Sequence, residues 1–354
     1  MATPSVSVLI DTYNHERFIE QAIVSVLEQD FPSSEREILV VDDGSTDNTA
    51  ALVEKFRPQV RYLRKANGGQ ASAFNAGIPE ARGKIVAFLD GDDWWAKDKL
   101  STVLEVMAKN PEVGAVGHGY YEAHDGVLPP RTVVPKARYR LHLGDVHTAR
   151  LFSSLRGFLG TSRMTMRKSL LDRVLPIPED LVIEADEHIF TLAPAIADAI
   201  VLDRPLCHYR FHSNNLFQFG SNDPSKRRRK YNVLKALLRT LPPRLAELGV
   251  SPEVATEVLE PLSVDAARMG LSLDGGKPWH TFVAERAAFR LSYQRASVGY
   301  RLFKGAVLAL TLLLPPRRFY RLRDFYAANG LRKLRNVLGE PTTAAPVREQ
   351  TTEA

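Results

Sequence analysis

Acidic residues close three apolar runs early in the chain: Asp11 after Ser5–Ile10, Asp42-Asp43 after Glu37–Val41, and Asp90-Gly91-Asp92-Asp93 after Lys84–Leu89. Carboxylates gathered in one place repel one another unless something positive joins them. A hard divalent cation, Mg²⁺ or Mn²⁺, suits such oxygen ligands. An acidic edge alone rejects phosphate, whereas the same edge with its cation attracts a diphosphate. In Asp90-Gly91-Asp92 the two acids are two apart, so on an extended segment they point the same way. Gly91 between them leaves room for a ligand. Asp and Gly also make ordinary turns; the apolar strand before them and the companion acids favour a site here. Asp42-Asp43-Gly44-Ser45-Thr46-Asp47 ends one run and opens a helix with Asp47 as its N-cap, and one of its acids could accept from a ring N–H of a nucleotide base.

These acids need a scaffold that brings strand ends together. The segments Ser5–Ile10, Glu37–Val41, Val60–Leu63 and Lys84–Leu89 read as strands. Between them, Phe18–Leu27, Asp47–Phe56 and Gln70–Ala81 read as helices. That β-α-β-α order predicts a mostly parallel, helix-covered sheet. Its right-handed crossovers place all strand C-termini on one edge, where ligands of such sheets bind. Further on, Val113–Tyr121, Val201-Leu202 and Leu206–Phe211 read as extended, Ile189–Ala197 as helical despite Pro194, and Pro129, Pro130 and Pro135 as marking a long loop. After about residue 222 the pattern turns helical, with Ser251-Pro252-Glu253 as a helix start and further helices from about Pro278 to Leu314. The resulting expectation is a catalytic domain over 1–220, a helical region over 221–340 and a disordered tail over 341–354.

The composition of the 354 residues, 44% hydrophobic and 25% charged, is that of a soluble globular protein with a sizeable core. One cysteine, Cys207, excludes an internal disulfide and points to a reducing compartment; it reads as a buried structural residue. The N-terminus shows no leader pattern. The longest apolar run, Ala306–Leu314, falls short of the about 20 residues that a membrane span needs. A cytoplasmic protein is expected, with room for peripheral attachment to the inner face of the membrane. The net charge of +6 is uneven: between Arg301 and Arg335 nine basic residues face Asp324 alone. This basic, partly apolar segment suits an anionic membrane surface, or a helix packed on the catalytic domain; nucleic acid is the less favoured partner. Lys226–Lys230 reads either as a basic patch or as the solvated start of a helix.

Several stretches together resemble family 2 glycosyltransferases of the GT-A fold. They are Ser7–Asn14, Ala22–Gln29, Val40–Asp47, Asn67–Gln70 through Phe74–Ile78, and Phe88–Trp94. Their order and spacing match jointly over about the first 110 residues, and more weakly to about residue 215. The resemblance implies a Rossmann-like α/β catalytic domain followed by the helical region, and a metal-dependent, inverting transfer from a nucleotide-diphosphate sugar to an acceptor hydroxyl. A polysaccharide, glycolipid or lipid-linked saccharide acceptor fits that expectation. It implies that Thr12, Tyr13 and Asp43 meet the base and ribose, that Asp90 touches ribose or metal, that Asp92 ligates the metal, and that Asn75 supports the floor. Glu184-Ala185-Asp186-Glu187-His188 resembles the family's Glu-Asp motif. Asp186 falls on its catalytic base, with Glu187 and then Glu184 as alternatives. Cys207–His212 resembles the terminal Tyr-Arg-x-His segment, in which Arg210 or His212 would offset diphosphate charge and His212 would reach the metal. The family usually has Pro at Asp11 and often Arg at Phe74, which leaves donor identity open. Trp94 or Trp95 reads as a sugar-stacking face or as core, and Asn67-Gly68-Gly69 as a turn that only loosely resembles a phosphate loop. The other classes are a sugar-phosphate nucleotidyltransferase, which would release pyrophosphate, and a non-catalytic nucleic-acid or membrane-binding protein on a degenerate transferase fold.

Overall fold

The computed structural model describes residues 4–124, 131–212, 223–292, 298–329 and 347–350. Four parallel strands form the N-terminal half of the sheet: β1 (Val6–Thr12), β2 (Arg36–Asp42), β3 (Arg61–Arg64) and β4 (Ile85–Asp90), in the order β4-β1-β2-β3. Helices α1 (Ile19–Leu27), α2 (Thr49–Glu54) and α3 (Gln70–Glu80) make the crossovers. β1 is central and buried on both faces, from Val6 through Ile10, which is why it reads as a continuous apolar run rather than an alternating one. Val8 and Ile10 of β1, Val40 of β2 and Ile19, Ile23 and Val26 of α1 lie in one core cluster. Each such side chain contributes about 1.5–3 kcal/mol by leaving water.

Beyond β4 the sheet is mixed. The chain continues through β5 (Trp94–Trp95), α4 (Lys99–Lys109), β6 (Val113–His124), β7 (Arg131–Pro135), β8 (Tyr139–Leu141), α5 (Val146–Leu155), β9 (Thr165–Arg167), α6 (Lys168–Val174), α7 (Ala185–Ile196) and β10 (Asp198–Phe211). β9 runs antiparallel between β4 and β6. β10 lies parallel to β6 and antiparallel to β5 and β8. The parallel character expected of the sheet therefore holds for β1–β4 and gives way to mixed pairing beyond. Pro135, expected in a loop, closes β7, and Pro129 and Pro130 lie outside the described residues. Asp47 precedes Asn48, which occupies the N-cap of α2 without a side-chain cap bond; the Asp47 carboxylate still accepts the Thr49 N–H at 3.0 Å. Cys207 is buried.

Five helices follow: α8 (Pro224–Glu247), α9 (Pro252–Asp274), α10 (Pro278–Ser292), α11 (Val298–Leu313) and α12 (Pro316–Asn329). A last strand, β11 (Val347–Gln350), pairs antiparallel with β7. The chain divides into two compact units. One comprises Met1–Asn215, Thr240–Ala255 and Val347–Ala354; the other comprises Leu216–Arg239 and Thr256–Pro346. No helix among the described residues is long and apolar enough to cross a membrane.

Candidate active site

The parallel register of β1 and β4 sets Asp11 beside Asp90, and the Gly91 N–H donates to the Asp11 carbonyl at 2.9 Å. Just past β4, carboxylate oxygens of Asp90, Asp92 and Asp93 lie within 4.8 Å of one another. Gly91 has to be a glycine here: a Cβ would stand 2.7 Å from Thr12 Oγ1 and 2.8 Å from His15 Nδ1. Ser162, buried in a short 3₁₀ turn (Thr161–Arg163) before β9, donates to Asp93 at 2.6 Å and accepts the Asp90 N–H at 3.1 Å. The Arg210 N–H donates to Asp93 at 2.8 Å. Asp92 meets two imidazoles, His212 Nε2 at 3.0 Å and His15 Nε2 at 3.9 Å.

This crowding has an electrostatic signature. Burial, then Asp92 and Asp186, pushes Asp11 up to about 8. Burial and the charges of Asp11, Asp92, Asp93 and Asp186 hold Asp90 well above the carboxylate range. Burial and Asp92 raise Asp93 to about 7. Burial also opposes ionisation of Asp92, but the His212 hydrogen bond and the His15 charge outweigh it and bring Asp92 below its ordinary value. Asp11 keeps one buried carboxylate oxygen without a hydrogen-bond partner. A buried acidic cluster in which Asp11, Asp90 and Asp93 resist ionisation through burial and then repulsion is what a divalent cation relieves. Asp90, Asp92 and Asp93 could hold one.

Asp186 stands in the first turn of α7. Its Oδ2 accepts from the Thr161 N–H at 3.0 Å and lies 3.1 Å from the Thr161 hydroxyl, while Oδ1 accepts the Glu187 N–H at 2.9 Å. The loop before it is pinned to α3. The Gln70 and Ala71 N–H groups donate to the carbonyls of Val182 and Leu181 at 3.0 and 3.3 Å, and the Ala185 N–H donates to the Gln70 side chain at 2.9 Å. The Gln70 amide nitrogen in turn reaches Thr161 Oγ1 at 3.2 Å. Asn75 spends its amide within the protein. Both ends of its amide bond the Ile177 backbone, at 2.7 and 2.8 Å, and so hold the start of the same loop. Of the two alternative acids, Glu187 pairs with Arg156 at 3.3 Å. Glu184 is buried at the N-cap with a left-handed φ of 57°.

The residues expected at the nucleotide are spread along the same edge. Thr12 is buried with its hydroxyl 3.2 Å from His15 Nδ1, and Tyr13 is 44% exposed. The Asp43 carboxylate is already engaged. It pairs with Lys65 at 2.7 Å and accepts the Gly68 and Gly69 N–H groups, the latter at 2.6 Å. The Gly68 and Gly69 amides, and the Asn67 side chain on the Asp43 carbonyl, are thus spent on Asp43 rather than open to a phosphate. Arg210 spans Phe18 and Trp94, its guanidinium 4.7 and 4.4 Å from the two ring centroids, and its Nε–H donates to the Asp92 carbonyl at 2.8 Å. Trp94 stacks on His208 at 4.6 Å. Trp95 is core, with its indole N–H on the Ser162 carbonyl at 3.0 Å. Phe74, where the resemblance leads one to look for arginine, packs edge-on against Phe88 in the interior. Sequence reasoning did not single out Ser162, Thr161, Gln70 and His15 for the site, nor Lys99, whose buried amine donates to the Ser162 carbonyl at 2.9 Å. His15 alone carried a signal, lying three residues past the strand end at Thr12.

Residues 7–175 match the family model for glycosyl transferase family 2. An uncharacterised glycosyltransferase of Nostoc sp. is 33% identical over 232 residues, 64% of this chain and 70% of that protein. The uncharacterised glycosyltransferase EpsJ of Bacillus subtilis is 30% identical over 60% of this chain and 63% of its own length. The poly(ribitol-phosphate) β-N-acetylglucosaminyltransferase TarS of Staphylococcus aureus is 41% identical over 98 residues, which is 17% of its length. Among solved structures, TarS 1–349 with UDP-GlcNAc aligns over 81% of this chain and 80% of its own, with a TM-score of 0.55 at 21% identity, a likeness of fold. The GT-A architecture, the acidic strand edge and the relatives agree: the chain belongs to glycosyl transferase family 2 and is a glycosyltransferase.

Proposed function

We propose that the protein transfers a hexose-type sugar from a nucleoside-diphosphate donor to an acceptor hydroxyl with inversion at the anomeric carbon. One observation carries this reading. The carboxylates of Asp11, Asp90, Asp92 and Asp93 crowd one strand edge, and Asp186 approaches them from α7, close enough for its charge to raise Asp11 and Asp90. Thr12, Tyr13, Asp43 and Arg210 then serve the nucleotide end, Asp43 by shaping the turn at Gly68-Gly69. Asn75 acts through the loop it pins. Asp186, oriented by Thr161, takes the acceptor proton as the hydroxyl attacks opposite the leaving diphosphate; such a base contributes about 10²–10⁴-fold. Asp90, Asp92 and Asp93, with His212 beside Asp92, would hold Mg²⁺ or Mn²⁺, which when bound offsets charge on the departing diphosphate. Arg210, beside them, adds positive charge to the same edge.

Relatives suggest the acceptor class. TarS is named for poly(ribitol phosphate). TuaG of Bacillus subtilis, 43% identical over 109 residues, is named as a putative teichuronic acid biosynthesis enzyme. A cell-envelope polysaccharide or lipid-linked saccharide, met from the cytoplasmic side, fits this chain. The test incubates the protein with a panel of nucleotide-sugars, acceptor saccharides and Mn²⁺, and follows nucleoside diphosphate release. Asp92→Asn and Asp186→Asn should each lower turnover at least about 100-fold. Full activity in both variants would remove the assignment, and release of pyrophosphate instead would indicate nucleotidyl transfer.

A further inference from the structure

Helix α11 is inverted for a helix that faces water. Val298, Leu302, Ala306, Ala309 and Leu313 recur at helical spacing on its exposed side, with Val298, Leu302 and Leu313 at 73%, 72% and 76% exposure. The polar groups of Tyr300 and Thr311 are on side chains buried on the other side. An apolar stripe on a helix normally faces a core or lipid; here it faces outward on a helix that also carries Arg301 and Lys304. After Pro315 the chain enters α12, which buries Phe319 and Tyr320 and exposes Arg318, Arg321, Leu322 and Phe325. Seven of the twelve large hydrophobic side chains that stand exposed among the described residues fall between Val298 and Phe325. The patch is therefore concentrated, and a concentrated apolar patch marks an interaction surface. Its charge is mostly basic: Arg301, Lys304, Arg317, Arg318 and Arg321 precede Asp324, while Arg323 pairs with Glu285 and Asp324.

We propose that this face of α11 and α12 docks on an anionic lipid bilayer, its leucines at the headgroup–acyl boundary and its arginines on lipid phosphates. A bilayer supplies an apolar layer and a plane of negative charge together, which is the combination presented here. A second copy pairing through the same face would bring the arginines against each other. The 16-residue α11 rests on the surface and does not cross. None of these residues belongs to the candidate active site, so the proposal stands or falls apart from the transfer reading.

The test is co-sedimentation of the full chain with vesicles of phosphatidylcholine and phosphatidylglycerol, against phosphatidylcholine alone. The wild type should bind the anionic vesicles, and added salt should weaken that binding. Leu302→Asn with Leu313→Asn, and separately Arg318→Gln with Arg321→Gln, should each lower partitioning about tenfold or more. All four positions are exposed, and unchanged melting temperatures confirm that the variants fold. Asp92→Asn should bind vesicles as the wild type does even if it transfers nothing. Absence of vesicle binding by the folded wild type, equal binding to both vesicle types, or indifference to both variant pairs overturns the proposal. So does a wild-type dimer that the leucine pair turns monomeric without any vesicle binding.

Discussion

Lys99 is the residue with the most to reveal about the ground beneath the acids. Its amine is fully buried, held by the Ser162 carbonyl and lying 3.7 Å from the Trp95 ring centroid. Burial brings it down to about 7 from 10.5. Between those two values the unfolded chain keeps a proton that the native chain has released. Stability therefore rises with pH across that window, and this contribution is lost as pH falls toward 7. Lys99→Met removes the effect. The stability of the wild type relative to the variant should climb by about 1 kcal/mol per pH unit across the window, measured by urea unfolding. A difference that stays flat with pH would show that the amine remains charged in its pocket. The acids make a second prediction. Mn²⁺ at about 100 times its dissociation constant should stabilise the wild type by roughly 2.7 kcal/mol; chelation should reverse this, and Asp92→Asn should abolish it, as read by thermal unfolding. Asp90, Asp92 and Asp186 were legible in the sequence because strand ends and a family motif mark them. Ser162 and Lys99 were not, because a lone serine in a short turn and a lone lysine on a helix look like surface until the fold buries them.

At the scale of elements, the link that matters joins the start of α3 to the loop that delivers Asp186. Gly69 makes that link possible. Its φ is 85°, and a Cβ there would stand 2.6 Å from Val182 Cα and 2.7 Å from the Val182 carbonyl oxygen. Gly69→Ala must push the Leu181–Ala185 loop away and tilt the first turn of α7. Turnover should fall at least about tenfold, because small misplacements of a catalytic group are costly. Nucleotide binding, which the proposal assigns to Thr12, Tyr13, Asp43 and Arg210, should change less. Steady-state kinetics beside a nucleotide thermal-shift assay separates the two effects; equal losses in both would mean general damage. Asn75→Ala, which strips two backbone hydrogen bonds from Ile177, should lower stability by about 1–3 kcal/mol. The β1–β4 and α1–α3 alternation was readable because central parallel strands are continuous apolar runs and the helices keep their period. The short strands β5, β8 and β9 escaped notice: they are two or three residues long, and pairing with distant strands, not local pattern, makes them strands.

At the scale of the whole molecule, sequence could locate the basic, apolar segment but not its orientation. Apart from Arg301 and Lys304 near its start, α11 is almost entirely apolar, so packing and exposure were equally readable for it. Arg332, Lys333 and Arg335, counted in the same segment, lie outside the described residues. The three-dimensional arrangement divides the labour: Tyr300 and Thr311 go inward and the leucines outward. If that face holds the enzyme on a bilayer, it should matter only when the acceptor is also there. Surface attachment replaces a search in solution by a high effective concentration. Leu302→Asn with Leu313→Asn should then raise the apparent KM for a lipid-linked acceptor in anionic vesicles by about tenfold or more. The kcat/KM for a soluble saccharide acceptor should stay the same, since neither leucine belongs to the acidic edge. Steady-state kinetics of one preparation on both acceptors decides the matter. Equal loss on both would trace the defect to folding. No loss on either would show that transfer at the acidic edge proceeds without help from α11.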